Sequence, residues 1–214
     1  MKQILVAVAL VMFGLMPGVS QAAPIFSDNF DGENGGVGDV LNYGGFANWA
    51  VGNGTVDLIG VGGSFDLIPL NGLYVDLDGT TNQAGIMQST ALLGLVAGTS
   101  YTLTFDLAGS QRGDSNTLTY GIETDGLPGL DHSVTLGPVG SGVPFGPISL
   151  IFTPTAPIPG AFIQFGQSGG DNIGLLMDNV ALNFTPVPEP ASLMLLGAGL
   201  AAIGIWRRKA AAKG

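Results

Sequence analysis

The sequence predicts an all-β domain, an antiparallel β-sandwich, and three observations carry that prediction. Short runs alternate apolar and polar residues with period two, turn signals rich in glycine, asparagine and aspartate separate them, and no helical periodicity occurs outside the termini. Successive side chains of a strand point to opposite faces, so each such run presents one face to a core and one to water.

The first element in chain order is a leader. Lys2 precedes an apolar run of 13 residues from Ile4 to Met16, followed by Pro17 and Gly18 and then by Ser20-Gln21-Ala22, a small-x-small cleavage site. The run is too short to span a bilayer comfortably. Residues 1–22 therefore read as a signal peptide removed by signal peptidase, with the mature chain beginning near Ala23.

Residues 23–185 read as the sandwich domain. Strands are expected over Thr55–Ile59, Ser64–Leu67, Leu73–Asp78, Gly85–Ser89, Ser100–Ala108, Thr117–Glu123, Ser133–Leu136, Gly146–Phe152, Ala161–Gly166 and Leu175–Phe184. The clearest puts Tyr101, Leu103, Phe105 and Leu107 on one face and Thr102, Thr104 and Asp106 on the other. Leu73, Val75 and Leu77 form a second inward row, and Leu118, Tyr120 and Ile122 a third. Asn53-Gly54, Asn71-Gly72, Asp78-Gly79, Asp125-Gly126 and Gly169-Gly170-Asp171 mark turns between them. Pro144, Pro147, Pro154, Pro157 and Pro159 crowd one stretch, which assigns it to edges or loops because proline cannot donate to a ladder.

Composition narrows the function classes. From Ala23 to Pro188 there are 15 Asp or Glu and one basic residue, Arg112, a net charge of -14 with His132 neutral. Such a surface repels nucleic acid and anionic headgroups and attracts cations. The chain contains no cysteine, which removes disulfides, thiolate nucleophiles and cysteine metal sites.

Residues 186–214 form a tail. Pro188 and Pro190 keep the chain extended, and 16 uncharged residues follow from Ala191 to Trp206. At ~1.5 Å per residue they reach ~24 Å, a short membrane span that Arg207, Arg208 and Lys209 would stop on the cytoplasmic side. Val187-Pro188-Glu189-Pro190 with the apolar stretch and basic end resembles the bacterial PEP-CTERM sorting signal. The resemblance implies an exopolysaccharide-producing Gram-negative host and a membrane-embedded exosortase that recognises Pro188, Glu189 and Pro190. It also implies an intermediate anchored in the inner membrane and a final place on the cell surface or in the extracellular matrix. Asn71–Gly79, Leu95–Asp106 and Leu176–Leu182 resemble parts of jelly-roll domains of the galactose-binding or carbohydrate-binding-module type. In such domains the first and last strands pair, and sugar sites lie in rim loops or on a concave sheet face.

Several residues are candidates for chemistry, each with a structural alternative. Strict alternation groups Asp178 with Leu176, Val180 and Leu182 and points it inward, where an unpaired charge is costly. Either a cation meets it, calcium being the hard ion that oxygen donors favour, or it accepts backbone N–H groups at a bulge. The jelly-roll resemblance would set this strand beside Asp28 and Asp31, completing a calcium site. Asp76 and Asp78, two apart, suit a cation or sugar hydroxyls, or simply decorate a strand. Trp49 with Tyr74 would give sugar stacking platforms, or pack in the core. His132 lacks a nucleophile partner, and scattered carboxylates define no hydrolase pair. The expectation is a noncatalytic exported protein associated with exopolysaccharide, with a carbohydrate-binding module or a polysaccharide hydrolase as alternatives.

Overall fold

The computed structural model describes residues 23–124 and 131–184, together with residues 197, 199, 200 and 203, which are helical. The expected leader, most of the expected membrane span and the sorting residues lie outside the described residues. Among the described residues, no helix is long and apolar enough to cross a membrane.

Among the described residues, twelve strands form two antiparallel sheets. They are β1 (Phe26–Asp28), β2 (Trp49–Gly52), β3 (Asp57–Gly60), β4 (Leu73–Asp76), β5 (Ile86–Ser89), β6 (Leu93–Leu95), β7 (Tyr101–Ala108), β8 (Asn116–Thr124), β9 (His132–Leu136), β10 (Gly146–Phe152), β11 (Ile158–Ser168) and β12 (Leu176–Phe184). The first sheet runs β10-β7-β12-β4-β3 with β1 also on β12, and the second runs β2-β5-β11-β8-β9 with β6 on β11. The pairing Phe26↔Leu182 joins the first strand to the last, as the jelly-roll resemblance implies.

The alternation that predicts β4, β7 and β8 also builds the core. Leu73, Val75, Tyr101, Leu103, Phe105, Leu107, Leu118, Tyr120 and Ile122 meet between the sheets with Met87, Ile163 and Phe165. At ~25 cal/mol per Å2 of apolar surface removed from water, such rows supply the main drive for folding. Ser64–Leu67, expected as a strand, is a turn-rich loop instead: backbone N–H···O bonds Gly63 to Gly60 and Asp66 to Gly63 close it locally. β1, β2 and β6 were not expected, and their three or four residues are too few to establish a period. The prolines fall where their missing donor is tolerated. Pro147 is on β10, at the edge of its sheet, and Pro159 lies where β11 changes register between Ile158 and Ala161.

Strand direction defines two ends of the sandwich. At one end β12 and β10 finish, β7, β11 and β1 start, and the chain leaves toward its tail; we call this the tail end. At the far end Asp76 pairs with Leu176 at the start of β12, and Leu176 with Ala108 at the finish of β7. Loops 109–115 and 169–175 connect the two sheets there.

Candidate functional site

A cavity of about 200 Å3 opens on the outer face of the first sheet toward the far end. Its floor follows from strand parity. Leu73 and Val75 face the core, so Tyr74 and Asp76 face outward, and the register Asp57↔Asp76 and Ile59↔Tyr74 puts Asp57 and Ile59 beside them. Loops supply the walls: Leu41, Phe65 and Leu67 on one side, Thr80, Arg112 and Asn172 on the other.

Two carboxylates directly opposite on neighbouring strands repel, and the site offsets this with donors. Arg112 Nη2 pairs with Asp76 Oδ2 at 2.5 Å, while Asp76 Oδ1 accepts the Asp78 N–H at 3.1 Å. Asp57 accepts the Asn42 N–H at 2.7 Å and the Thr80 hydroxyl at 2.9 Å. Burial still pushes the Asp76 carboxyl up to about 7, against the pull of Arg112, with the charges of Asp57 and Asp78 acting in the same upward direction. The Arg112 side chain remains 37 % exposed and Phe65 is 45 % exposed. The cavity thus offers a guanidinium, carboxyl groups, an amide and an apolar wall, the combination that orients a small hydroxylated ligand.

Of the residues expected to bind sugar, the structure brings only Asp76 to this cavity. Trp49 is 2 % exposed and cannot act as a stacking platform. Its indole packs edge-on to Phe26 at 5.2 Å and near Phe165 at 5.6 Å, and its Nε1–H donates to Asp28 Oδ2 at 2.9 Å. Tyr74 is fully buried on the outer face of the first sheet, under Phe145 and Ile68, and accepts the Ile68 N–H at 2.8 Å. Burial pushes its phenol well up. Asp78 is also fully buried: its Oδ2 accepts the Gly170 N–H at 2.8 Å, tying down loop 169–175, and Oδ1 has no partner among the described residues. The three corrections share one cause, since the core and the loop clamps take these side chains out of solvent.

Asp57, Phe65, Arg112 and Asn172 were missed as site residues. Only Arg112 carried a signal, as the single basic residue of an acidic domain. The others come from separate segments that only the strand register brings together.

The expected calcium set does not assemble. Among the described residues, no group of three or more His, Asp or Glu is placed to hold a metal. Asp28 accepts N–H groups from Phe30, Asn48 and Trp49 at 2.9–3.1 Å. Asp31 accepts from Leu73 N–H at 2.9 Å and Asn29 at 2.8 Å. Asp178 accepts from Asn71 at 2.6 Å and from the Asn179 N–H at 2.7 Å. Each carboxylate is turned toward donors rather than toward a shared ion, so the donor set does not fit calcium. Asp178 is nevertheless 2 % exposed, and burial pushes it up to about 7 with the charges of Asp31 and Asp106 adding to the effect.

The bulge alternative describes Asp178. The β12–β7 register shifts between Asp178 and Ala181, with Asn179 at φ 52°. The bulge resets the alternation, so Leu176 joins the outer cluster while Val180 and Leu182 turn into the core. A larger open groove of about 690 Å3 runs past this bulge, lined by Asp28, Asn29, Asn48 and Asn179, with no aromatic or basic side chain in its lining.

Residues 186–209 match the family described as the PEP-CTERM protein-sorting motif. The chain carries a PEP-CTERM sorting motif. The sorting motif contains Pro188, Glu189, Pro190 and the basic residues Arg207, Arg208 and Lys209, and it begins directly after β12 ends at Phe184. No curated protein matches the chain.

Among solved structures, the sandwich is similar to the CBM22-1 and GH10 modules of a Clostridium thermocellum endo-1,4-β-D-xylanase complexed with xylohexaose. That match has 12 % identity and a TM-score of 0.46, and covers 77 % of this chain but only 29 % of the xylanase chain. It is also similar to the C-terminal family 22 carbohydrate-binding module of a C. thermocellum xylanase, at 16 % identity and a TM-score of 0.46 over 81 % of this chain and 99 % of that one. A CBM4 structure aligns at 15 % identity and a TM-score of 0.43 over 71 % of this chain and 99 % of that one. Similarity at this level is one of general shape, and no activity transfers with it.

Proposed function

We propose that this protein is an exported, noncatalytic surface or matrix protein whose β-sandwich is delivered by its sorting tail and held in extracellular polysaccharide. The observation that carries this reading is the sorting motif, which starts at residue 186 and so makes the sandwich ending at Phe184 its cargo. In this reading signal peptidase removes residues 1–22. The apolar stretch 191–206 then holds an inner-membrane intermediate of a Gram-negative cell, with Arg207, Arg208 and Lys209 on the cytoplasmic side. An exosortase-type enzyme recognises Pro188, Glu189 and Pro190 and releases the domain to the surface.

Cell fractionation with mass measurement tests it. The wild-type protein should appear in the surface or matrix fraction with its tail shortened, and Glu189→Ala should stay in the membrane fraction with its tail intact. Identical fractions and masses for the two would overturn the reading.

A second reading, favoured by the far-end cavity, is a carbohydrate-binding module with a discrete sugar site. Its size, near seven water volumes at ~30 Å3 each, suits a single sugar ring better than a long chain segment. Saturable binding on a glycan array that Arg112→Gln abolishes without unfolding the domain would support it. Release of reducing ends, lost in Asp76→Asn, would instead make the protein a polysaccharide hydrolase.

A further inference from the structure

The tail end of the sandwich combines exposed apolar side chains with few charged ones; exposed apolar side chains occur elsewhere too, as at Val61, Phe65 and Leu70, so it is the combination that marks this end. Leu92, Val96 and Phe184 are exposed there, at 72, 58 and 42 %. Structural contacts draw Val96 and Phe184 to one spot: the Val96 N–H donates to the Tyr101 hydroxyl at 2.8 Å, and the Phe184 ring lies 5.6 Å from the Tyr101 ring. Leu92 flanks β6, which pairs with the start of β11 at the same end. Ile151, 65 % exposed, stands beside them on edge strand β10 opposite Thr102.

Charge is also unevenly distributed. The segments that build this end, residues 23–27, 90–100, 145–170 and 179–188, contain no Asp, Glu, Lys or Arg. Asp57, Asp76, Asp78, Asp114 and Asp171 gather at the far end instead. Among the described residues, Glu123 and Asp131, at the β8–β9 corner, are charged exceptions near the tail end, and the sequence places Asp125 between them; burial and the neighbouring Asp131 push Glu123 upward.

The connection to the tail is short. From Phe184 to the expected start of the apolar stretch at Ala191 the chain passes only residues 185–190, with Pro188 and Pro190 among them. At ~3.3–3.6 Å per residue, the seven steps from Phe184 to Ala191 reach ~25 Å at most. A headgroup layer takes ~5–8 Å of that distance, since the bilayer is ~40–45 Å thick with a ~30 Å core.

We infer that, while the tail is in the membrane, the uncharged end bearing Leu92, Val96, Ile151 and Phe184 rests on the lipid surface, leaving the acidic far end and its cavity directed outward. The surface is apolar and uncharged where the tether brings it to the headgroups, and the acids that would be repelled by anionic lipid lie mainly at the other end. This inference rests on the tail acting as a membrane anchor before processing.

The chain has no cysteine, so single labels can be placed in the full-length protein. Leu92→Cys, Val96→Cys and Ile151→Cys would each carry a polarity-sensitive fluorophore, with Val143→Cys at the far end as reference. The labelled proteins would be reconstituted in phosphatidylcholine vesicles. The three tail-end labels should shift to the blue and be quenched by a lipid-borne quencher, with the Val143 label unchanged. Co-sedimentation with vesicles but spectra matching the Val143 reference would overturn the inference and leave the anchor intact. Failure to co-sediment would overturn both. A blue shift that follows protein density rather than lipid contact would assign the face to a second copy of the chain and likewise overturn it.

Discussion

Two carboxyls, Asp76 and Asp178, are held in the fold at about 7, well above the ordinary 3.8. The folded protein therefore binds protons more tightly than the unfolded chain between those limits. The associated stability is fully present below the unfolded value and is lost as pH rises through the folded one. The ceiling is ~1.4 kcal/mol per pKa unit, and relaxation of the surroundings lowers it. Asp178→Asn removes one buried charge while keeping an acceptor for the Asn179 N–H, and Asn71 can turn its amide to match. We expect this variant to gain about 1–2 kcal/mol at pH 8, a Tm rise of roughly 2–8 °C, and to converge with the wild-type protein only once the pH falls below the unfolded value of 3.8. Melting curves across that range check it, and a lower Tm than wild type at pH 8 would refute the assignment. Trp49 makes the complementary point about single residues. An aromatic beside asparagines reads equally well as a sugar platform or a core anchor until its exposure is known, and Asp28, expected to hold an ion, is instead the acceptor for its indole.

At the scale of elements, loop 169–175 determines whether the far-end cavity keeps its shape. A Cβ added at Gly174 would land on Asp76 Oδ1 and lie 2.5 Å from the Asp78 nitrogen, with backbone atoms unable to yield cheaply. Gly174→Ala should destabilise the domain by about 1–3 kcal/mol through overpacking. It should also displace Asp76 from Arg112, which an amide-protection map would show as faster exchange confined to β4 and this loop. Uniform protection would count against the clamp. How much of the sequence could be read also divides by element. β4, β7 and β8 were legible because their alternation is unbroken. β12 was legible as a strand but misleading as a pattern, since the bulge after Asp178 exchanges its two faces and no residue type announces it. Ser64–Leu67 has strand-like residues, but local backbone bonds close it as a loop. The cavity was illegible because Leu41, Asp57, Phe65, Asp76, Arg112 and Asn172 become neighbours only through pairing register and loop closure.

For the whole molecule, stability comes from one core between two sheets rather than from staples, as the chain has neither a disulfide nor a gathered metal set among the described residues. Adding EDTA should therefore leave the melting temperature unchanged, because a ligand stabilises only what it binds in the folded state. A saturable rise with calcium, abolished by Asp178→Ala, would show that the carboxylates can reorganise around an ion. The pairing of β1 with β12 bears on the order of events during secretion. On the proposed export route Phe26 would leave the cell early and Leu182 nearly last, yet they are neighbours across the β1–β12 pair, so this contact closes a loop almost as long as the domain. Along that route, the inner strands of the first sheet lack β12 as their central partner until residue 184 has crossed, and the domain stays incompletely folded until then. If export proceeds as proposed, completion of the fold is timed to the arrival of the tail, so a chain cut short before β12 should remain sensitive to proteases.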